Sequence, residues 1–264
     1  MNRHCNDIIC LLLLILFTSC TTTKSLSQDD LQSTDLIEWT ELKPGFEITN
    51  QKIKELGVSW TCVKIHLSQI ETAPVIKVSE KSFSVKDFAS QNALSVAINT
   101  TPFSMNKKTY MATGIIKNNG TVLSEPVEKY CALAIKTDKD NLLTCAILKN
   151  QVSSEIEKFD YAIGGFFVIL KDGQTQEFTQ KRRSRTACGI DDTGSTLYFF
   201  AVTPDFSLTD KNGLSYPECA QILKRLGCTN AMQFDGGHST AMVINGKNVR
   251  APLFQRKIAA AIGF

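Results

Sequence analysis

The sequence predicts an α+β protein, with mixed, largely antiparallel β-sheets and a few helices in a single compact domain. Three observations support this fold class. Short segments rich in β-branched and aromatic residues recur along the chain between turn-forming residues, which is typical of strands. Tight-turn signals connect several of these segments directly, which favours antiparallel pairing. Only two segments carry clear helix signals, so we expect few helices.

The N-terminus differs in composition from the rest of the chain. The apolar run from Ile8 to Phe17 is shorter than the roughly 20 residues of a transmembrane helix, so it predicts a signal peptide over residues 1–19. The small pair Thr18-Ser19 before Cys20 is similar to the lipobox of bacterial lipoproteins, which predicts lipidation of Cys20, although Phe17 stands where Leu is usual. A signal peptide without lipidation, cleaved or kept as an anchor, is the alternative.

The remaining chain divides into a tether and a domain. Residues 20–35 are rich in Thr, Ser, Gln and Asp and predict a flexible tether, and residues 36–264 are long enough for one large domain. A lipid at Cys20 would anchor this domain to a membrane of the bacterial cell envelope, facing the periplasm or the surface. The net charge of +3 provides no strong basic field, so nucleic acid is not an expected partner.

The first part of the domain shows clear strand and helix signals. Val58 to Leu67 alternates between apolar and polar residues and predicts a half-buried strand. Val85 to Gln91 predicts a short helix. The apolar run Ala93 to Ile98 predicts a strand that ends in the polar turn Asn99-Thr100-Thr101-Pro102, where the proline stops the ladder.

Hairpins are expected in the middle of the domain. Asn118-Asn119-Gly120 predicts the turn of a hairpin between Gly114 and Val122. Cys131 to Thr137 and Leu142 to Leu148 predict a second hairpin. Tyr161 to Leu170 predicts one strand that is apolar on both faces, and its pair of glycines permits close approach of another backbone.

The last third combines a strand pair with the second helix. Ala187 to Ile190 and Thr196 to Thr203 predict paired strands. Ser215 and Glu218 form a capping-box pattern, which predicts a helix running to about Leu226 and ending at a glycine. After this helix, a strand, a polar turn and a hairpin with an Asn-Gly turn complete the chain.

Two segments place a charged residue beside turn-forming residues at a strand end. Arg185-Thr186 precedes the predicted strand at Ala187, and Asp235-Gly236-Gly237 follows a predicted strand over Ala231 to Phe234. Rigid strands hold a side chain in place and glycines admit a ligand, so we expect a functional site here. Because an arginine fork binds phosphate bidentately, an anionic, sugar-phosphate ligand is favoured. For the aspartate, an Asx turn without catalytic function is the alternative.

Neighbouring residues add less specific signals. Lys181 to Arg183 are expected to be mostly a solvated loop. His238 and Ser239 do not predict a serine hydrolase, because adjacent strand residues face opposite sides and the segment lacks the closing glycine of a nucleophile elbow. His238 therefore either contacts substrate or caps the turn, and both interpretations stay open.

No cofactor and no metal site are expected. The histidines are few and the cysteines lack zinc-ligand spacing. Loop aspartates leave a Ca²⁺ site open as an alternative, and these are Asp191, Asp192, Asp205 and Asp210. Six cysteines follow Cys20, at positions 62, 131, 145, 188, 219 and 228. Both disulfides and buried free thiols are compatible with an exported protein.

An ordered set of motifs carries a family resemblance. The motifs are Arg185-Thr186-Ala187 with Gly189-Ile190-Asp191, Gly213-Leu214-Ser215 with Pro217-Glu218, Asn230-Ala231, Phe234-Asp235-Gly236-Gly237 with Ser239-Thr240, and Met242-Val243. In these motifs the chain resembles the phosphodiester glycosidases, the family of N-acetylglucosamine-1-phosphodiester alpha-N-acetylglucosaminidase. Weaker similarities lie upstream, at Ala97-Ile98-Asn99 and at Ala162 to Gly165. His238 stands where the family usually carries a third glycine.

The resemblance implies hydrolysis of a sugar-1-phosphodiester at the anomeric carbon, with release of free sugar and a phosphate monoester. Such a monoester leaves more readily than an alkoxide, so one carboxylate and a cationic clamp are expected to suffice. Asp235 and Arg185 are the predicted catalytic residues, with Asp235 activating water or stabilising the oxocarbenium ion and Arg185 holding the phosphate. The predicted substrate-binding residues are Asn99, Gly165, Thr186, Gly236, Gly237, His238, Ser239 and Arg256.

Two other functions remain as alternatives. A non-catalytic envelope lipoprotein would bind glycans or phosphoglycans in the same pocket. A glycosidase acting on a phosphate-free polysaccharide would not depend on Arg185. In each case the expected partners are a sugar-phosphate or glycan and, through Cys20, a membrane.

Overall fold

The structure is a computed structural model and describes residues 37–206 and 212–264. Every strand pair in these residues is antiparallel. The predicted signal peptide, the lipidation site at Cys20, the tether and Asp210 lie outside the described residues. The described chain belongs to one compact unit, Thr34–Phe264. None of its helices combines the length and the apolar character that crossing a membrane requires.

The elements of the described chain are strands, three helices and two short 3₁₀ turns. The strands are β1 (Thr40–Lys43), β2 (Phe46–Ile53), β3 (Val58–His66), β4 (Val75–Phe83), β5 (Val96–Asn99), β6 (Phe103–Asn106), β7 (Thr109–Ala112), β8 (Ile116–Asn118), β9 (Thr121–Ser124), β10 (Ala132–Thr137), β11 (Leu143–Leu148), β12 (Tyr161–Gly164), β13 (Val168–Lys171), β14 (Gln174–Thr175), β15 (Arg185–Ile190), β16 (Thr196–Pro204), β17 (Asn230–Gln233), β18 (Met242–Ile244), β19 (Lys247–Arg250) and β20 (Ile258–Gly263). The helices are α1 (Val85–Gln91), α2 (Ser153–Ile156) and α3 (Tyr216–Arg225), and the 3₁₀ turns are Leu67–Gln69 and Gly237–Ser239.

Three sheets and a hairpin organise these strands. The largest sheet has eight strands in the order β1-β2-β3-β16-β15-β17-β13-β14. Two five-stranded sheets have the orders β11-β10-β12-β8-β9 and β19-β18-β5-β20-β4, and β6 pairs with β7 alone. The α+β fold class with largely antiparallel sheets is confirmed.

One apolar core joins all three larger sheets. It includes Phe199 from the eight-stranded sheet, Leu133 from one five-stranded sheet and Ile98 from the other. Because these buried surfaces are removed from water together, the three sheets are held against one another. Helix α1 packs Phe88 against the sheet that contains β5, and α3 packs against β13 and β17.

Several predictions from local signals are confirmed. Helix α1 has the predicted bounds. The Ser215 hydroxyl accepts a hydrogen bond from the Glu218 amide, and the Glu218 carboxylate accepts one from the Ser215 amide at 2.7 Å, so the capping box starts α3. Gly227 ends this helix with a positive φ of 107°. The Asn119-Gly120 turn has two positive φ angles, as a type I′ hairpin requires.

Three local predictions are wrong. The segment from Tyr161 to Leu170 forms two strands in different sheets, because the chain crosses at Gly164 and Gly165; a Cβ at Gly165 would lie 2.5 Å from the Gln233 carbonyl oxygen. Strand β3 is buried on both faces over most of its length, since Val63 and Ile65 lie in the apolar core and Trp60 and Cys62, on the opposite face, are also covered. His238 and Ser239 lie in a 3₁₀ turn, so the expectation that they face opposite sides as adjacent strand residues is wrong.

The six cysteines of the described chain are free thiols, and all are buried. Burial raises the thiol pKa of each, for Cys219 to about 12. A thiol that stays protonated is a poor nucleophile, so these side chains act as small apolar core residues.

Candidate active site

The candidate site lies where three strand ends meet. Strand β5 ends at Asn99, β15 begins at Arg185 and β17 ends two residues before Asp235. The Asp235 amide donates a hydrogen bond to the Thr100 carbonyl at 2.8 Å, which connects the end of β17 to the end of β5. Because β5 belongs to a five-stranded sheet and β15 and β17 to the eight-stranded sheet, the site spans the junction of two sheets.

The buried side chain of Asn99 stabilises this junction through hydrogen bonds. Its side-chain amide donates to the Asp235 carbonyl at 2.7 Å, while its side-chain oxygen accepts from the Thr186 hydroxyl at 2.7 Å and from the Ala241 amide at 2.9 Å. Asn99 is only 1% exposed and Thr186 is fully buried. Both side chains therefore support the Asp235 turn, and contact of either with substrate stays a prediction.

The Asp235 carboxylate is partly enclosed. One of its oxygens accepts a hydrogen bond from the Gly236 amide at 3.0 Å. Burial raises the pKa of the Asp235 carboxyl above its ordinary value, although hydrogen bonds from Ser239 and Gly236 and the charge of Arg256 act in the opposite direction. A carboxylate with a raised pKa is a stronger base, which suits activation of a water molecule.

The two glycines after Asp235 let the turn lie directly on β15. A Cβ at Gly236 would be 2.9 Å from the Ser184 carbonyl oxygen. Gly237 has a φ of 61°, and its amide donates to the same carbonyl at 2.8 Å. The close approach of two backbone segments thus explains these glycines, and direct contact of their amides with a ligand stays a prediction.

Arg185 is held in one orientation by the backbone. Its Nε donates to the Leu214 carbonyl at 3.1 Å and its Nη2 donates to the Lys181 carbonyl at 2.7 Å. The guanidinium carbon lies 4.0 Å from the centre of the Tyr216 ring. Arg185 is 8% exposed and has no carboxylate within ion-pair distance in the described chain. It is a buried, oriented cation without a protein counterion there.

The segment before Arg185 is also attached to α3. Arg182 pairs with Glu218 at 2.5 Å, and Glu218 is the capping-box residue of α3. The expectation that residues 181–183 form a solvated loop is therefore wrong for Arg182, whose side chain is mostly covered. The pair connects the start of α3 to the segment that positions Arg185. The capping-box pattern predicted the role of Glu218 in starting the helix but not this ion pair.

A group of buried polar side chains near these residues was missed by the sequence analysis. In the described chain none of them has a hydrogen-bond partner of good geometry within the protein, although the Gln233 amide approaches the Cys219 thiol. They are Thr100, Thr101, Ser184, Gln233 and Thr240. Buried polar groups are normally satisfied, so such a group beside Asp235 and Arg185 marks candidate ligand contacts. Their position in the sequence could have identified them, since each is within two residues of a predicted site residue.

His238 and Arg256 belong to a loop that lies against the turn. The His238 Nδ1 lies 3.0 Å from the Phe254 carbonyl, and it must carry the proton because a carbonyl oxygen can only accept. The Arg256 amide donates to the His238 carbonyl at 2.7 Å, and the Arg256 side chain is exposed. His238 thus fastens the loop that brings the charge of Arg256 towards Asp235, and substrate contact by either stays a prediction.

Gly165 lies against β17 instead of facing open space. A Cβ there would be 2.3 Å from the Met232 methyl carbon, so packing requires glycine at this position. The next residue, Phe166, donates its amide to the Gln233 carbonyl at 2.8 Å. Substrate contact by Gly165 stays a prediction.

The loop aspartates have structural partners. Asp191 accepts hydrogen bonds from Thr193, Ser195 and Thr196, and Asp205 pairs with Lys52 at 2.8 Å. Within residues 37–206 and 212–264, no group of three or more His, Cys, Asp or Glu side chains is arranged to hold a metal ion. Turn formation and ion pairing account for Asp191 and Asp205.

Comparisons with known proteins give a consistent result. The family model for phosphodiester glycosidase matches residues 92–264. The catalytic domain of zebrafish N-acetylglucosamine-1-phosphodiester alpha-N-acetylglucosaminidase, auto-inhibited by its pro-peptide, has a similar fold with a TM-score of 0.67 at 19% identity, covering 85% of each chain. A hypothetical protein from Synechocystis has a TM-score of 0.66 at 16% identity, over 86% of this chain but only 63% of its own length. No curated protein sequence matches at significant similarity.

The solved structures show that the fold is shared, and the family model covers more than half of the chain, including the strand ends that carry Asn99, Arg185 and Asp235. The chain therefore belongs to the phosphodiester glycosidase family.

Proposed function

We propose that this protein is an exported hydrolase that cleaves a sugar-1-phosphodiester at the anomeric carbon. Family membership supports the reaction class. The observation that favours a phosphate-containing substrate is Arg185, a buried and oriented cation without a carboxylate partner in the described chain. Removing an unpaired charge from water is unfavourable, so a site of this kind is expected where an anionic ligand binds.

The chemistry needs one bond to form and one to break. Water attacks the anomeric carbon, the bond from that carbon to the phosphate oxygen breaks, and its electron pair leaves with the phosphate monoester. Asp235 accepts the proton of the attacking water, and its raised pKa favours this role. The proton then passes to solvent, and the products are free sugar and the monoester.

Arg185 stabilises the charge that grows on the leaving phosphate. Two backbone carbonyls and the Tyr216 ring fix its guanidinium before substrate binds, so little reorganisation is needed during the reaction. Its Nη1 has no hydrogen-bond partner in the described chain and is available to a phosphate oxygen. Arg256 supplies a second positive charge from the exposed side.

Turnover of defined substrates tests this function. The purified protein would be incubated with sugar-1-phosphodiesters and with aryl glycosides, and free sugar and phosphate monoester would be quantified. We expect release from the phosphodiesters only, with loss of activity in Asp235→Asn and full activity in the exposed-turn control Asp192→Asn. Turnover of the aryl glycosides alone would support the phosphate-free alternative. Saturable binding of a phosphoglycan without turnover would support the binding-protein alternative.

The role of Arg185 has its own test. Arg185→Lys keeps the charge but cannot reach both backbone carbonyls and the phosphate, so we expect kcat/KM to fall by about 10²–10³. Arg225→Lys is the matched control, because Arg225 lies at the opposite end of α3 from Tyr216. Near-full activity of Arg185→Lys would contradict the proposed role of Arg185 in holding the phosphate.

Export and anchoring are proposed from the apolar run and Cys20. Expression in a bacterium with a labelled fatty acid should give a labelled protein in the membrane fraction, and Cys20→Ser should remove the label. An unlabelled wild-type protein would contradict the lipid anchor.

A further inference from the structure

A chain of aromatic rings extends from the candidate site towards solvent. We call it the aromatic platform, and its members are Tyr130, Phe166, Phe167, Phe178 and Tyr216. Tyr216 lies 5.3 Å from Phe178 and 6.0 Å from Phe167, and Phe166 lies 5.7 Å from Phe167 and 5.5 Å from Tyr130, between ring centres. Phe167 is 39% exposed, which is unusual for a phenylalanine at the centre of a ring cluster.

The aromatic platform is continuous with the catalytic residues. The Tyr216 ring that packs on the Arg185 guanidinium is its first member. A Cβ at Gly236 would lie 3.8 Å from the Arg185 Cδ, so the Asp235 turn contacts the same side chain. Arg185 therefore contacts both the Asp235 turn and the aromatic platform, as the phosphate is bonded to both sugar and aglycone in a phosphodiester.

Two open cavities border the aromatic platform. One has a volume of about 340 Å³ and is lined by Lys129 and four of the five rings. The second has a volume of about 620 Å³ and shares Lys129, Phe166 and Phe167 with the first. Both volumes are in the range of ligand sites. The two cavities thus form one extended surface along the rings.

The charge around this surface is positive. Lys129, Lys149 and Lys171 line the larger cavity, and Glu177 is its one acidic residue among the described lining side chains. The polar side chains of Asn150 and Gln176 also line it. This mixture of rings, lysines and amides suits a sugar ring, whose C–H face packs on an aromatic ring while its hydroxyl groups bind polar side chains. An alkyl chain would leave these polar groups unpaired.

We propose that the aromatic platform binds the aglycone of the substrate, and that this aglycone is a glycan carrying further phosphate or carboxylate groups. The proposal rests on the proposed function and assigns the leaving-group side of its substrate. The sugar that is released lies at Asp235, the scissile phosphate lies at Arg185, and the anionic glycan continues over Tyr216 and Phe167 towards the three lysines.

Two substrates that share one sugar-1-phosphate provide the test. One has a methyl aglycone, and the other has a phosphorylated oligosaccharide as aglycone. We expect kcat/KM to be at least about tenfold higher for the oligosaccharide substrate, which corresponds to about 1.4 kcal/mol of additional binding in the transition state. Phe167→Ala should reduce this ratio towards one, and Lys149→Ala should reduce it most at low salt. Phe206→Ala is the control, because Phe206 is 86% exposed and outside the aromatic platform.

The outcomes separate this proposal from the proposed function. Equal turnover of both substrates, unaffected by Phe167→Ala, would overturn the aromatic platform as an aglycone site and leave the hydrolase intact. A higher kcat/KM for a phosphodiester with a long alkyl aglycone than for the oligosaccharide substrate, lost in Phe167→Ala, would overturn the assignment of a glycan. If neither substrate is cleaved, the proposed reaction is wrong. Calorimetry with the phosphorylated oligosaccharide then tests whether the aromatic platform binds a glycan. Binding that Phe167→Ala removes supports the aromatic platform, and absence of binding overturns it.

Discussion

The side-chain amide of Asn99 donates a hydrogen bond to the backbone carbonyl of Asp235 at 2.7 Å. Asn99 ends a strand of one sheet, and Asp235 follows a strand of another. The other end of the same amide group accepts from Thr186 and Ala241. One buried side chain thus bonds to three other positions of the chain, and the position of the candidate catalytic carboxylate depends on it.

Asn99→Ala should reduce both stability and activity. It leaves the Asp235 carbonyl, the Thr186 hydroxyl and the Ala241 amide without their partner, so we expect a loss of about 1–3 kcal/mol in the free energy of unfolding. We also expect kcat to fall more than KM rises, because the carboxylate is misplaced. Denaturant unfolding and steady-state kinetics measure these effects. Asn92→Ala is the control, since it removes one hydrogen bond from an exposed side chain to the Phe88 carbonyl at the end of α1. A similar small effect of both variants would contradict this role of Asn99.

Asp235→Asn should stabilise the protein at neutral pH while it abolishes turnover. Burial raises the carboxyl pKa in the folded state, so the folded protein binds this proton more tightly than the unfolded chain. The carboxyl then disfavours folding increasingly as pH rises through the window above its unfolded pKa of about 3.9. The gain in Tm of Asp235→Asn should therefore be largest near pH 7 and disappear below about pH 4. A thermal unfolding series across pH checks this, and a gain that grows towards acid pH would contradict it.

The described cysteines should be unreactive in the native protein. All six are buried and free, and burial raises the pKa of each thiol. We expect an alkylating reagent to leave Cys62, Cys131, Cys145, Cys188, Cys219 and Cys228 unmodified under native conditions and to label all six after unfolding without reductant. Peptide mass spectrometry distinguishes the two states. Disulfide-linked peptides in the unreduced sample would show that some of these cysteines are paired in the native protein, which would contradict the expectation of six free thiols.

Lys117 should contribute to stability without affecting catalysis. Its ammonium group donates to the carbonyls of Ile156, Glu157 and Phe159 at the end of α2, although the residue itself lies in β8 and is buried. Lys117→Met should lower the free energy of unfolding by about 1.5–3 kcal/mol, because hydrogen bonds to a charged group are lost. Lys136→Met is the control, since Lys136 is exposed. A neutral effect of Lys117→Met in denaturant unfolding would contradict this role.

Local signals predicted the elements that depend on neighbouring residues. The capping box at Ser215 and the turn at Asn119-Gly120 are formed by a few consecutive residues, so their sequence is sufficient to predict them. The segment from Tyr161 to Leu170 shows the limit of this reasoning. Its apolar residues suit a buried strand in either of two sheets, and only the packing of Gly165 against β17 decides where the chain crosses.

The family, the fold class and the two strand ends where charged residues meet turn-forming residues could be predicted from the sequence, because motif order and local turn chemistry are properties of the chain. The surroundings of Asp235 and Arg185 could not, because they depend on tertiary packing. Asn99 is 136 residues from Asp235 in the chain but bonded to it, and the Tyr216 ring meets Arg185 only because Leu214, just before α3, pairs with Arg183, just before β15. Contacts between segments that are distant in sequence depend on how the sheets pack, and no local pattern contains that information.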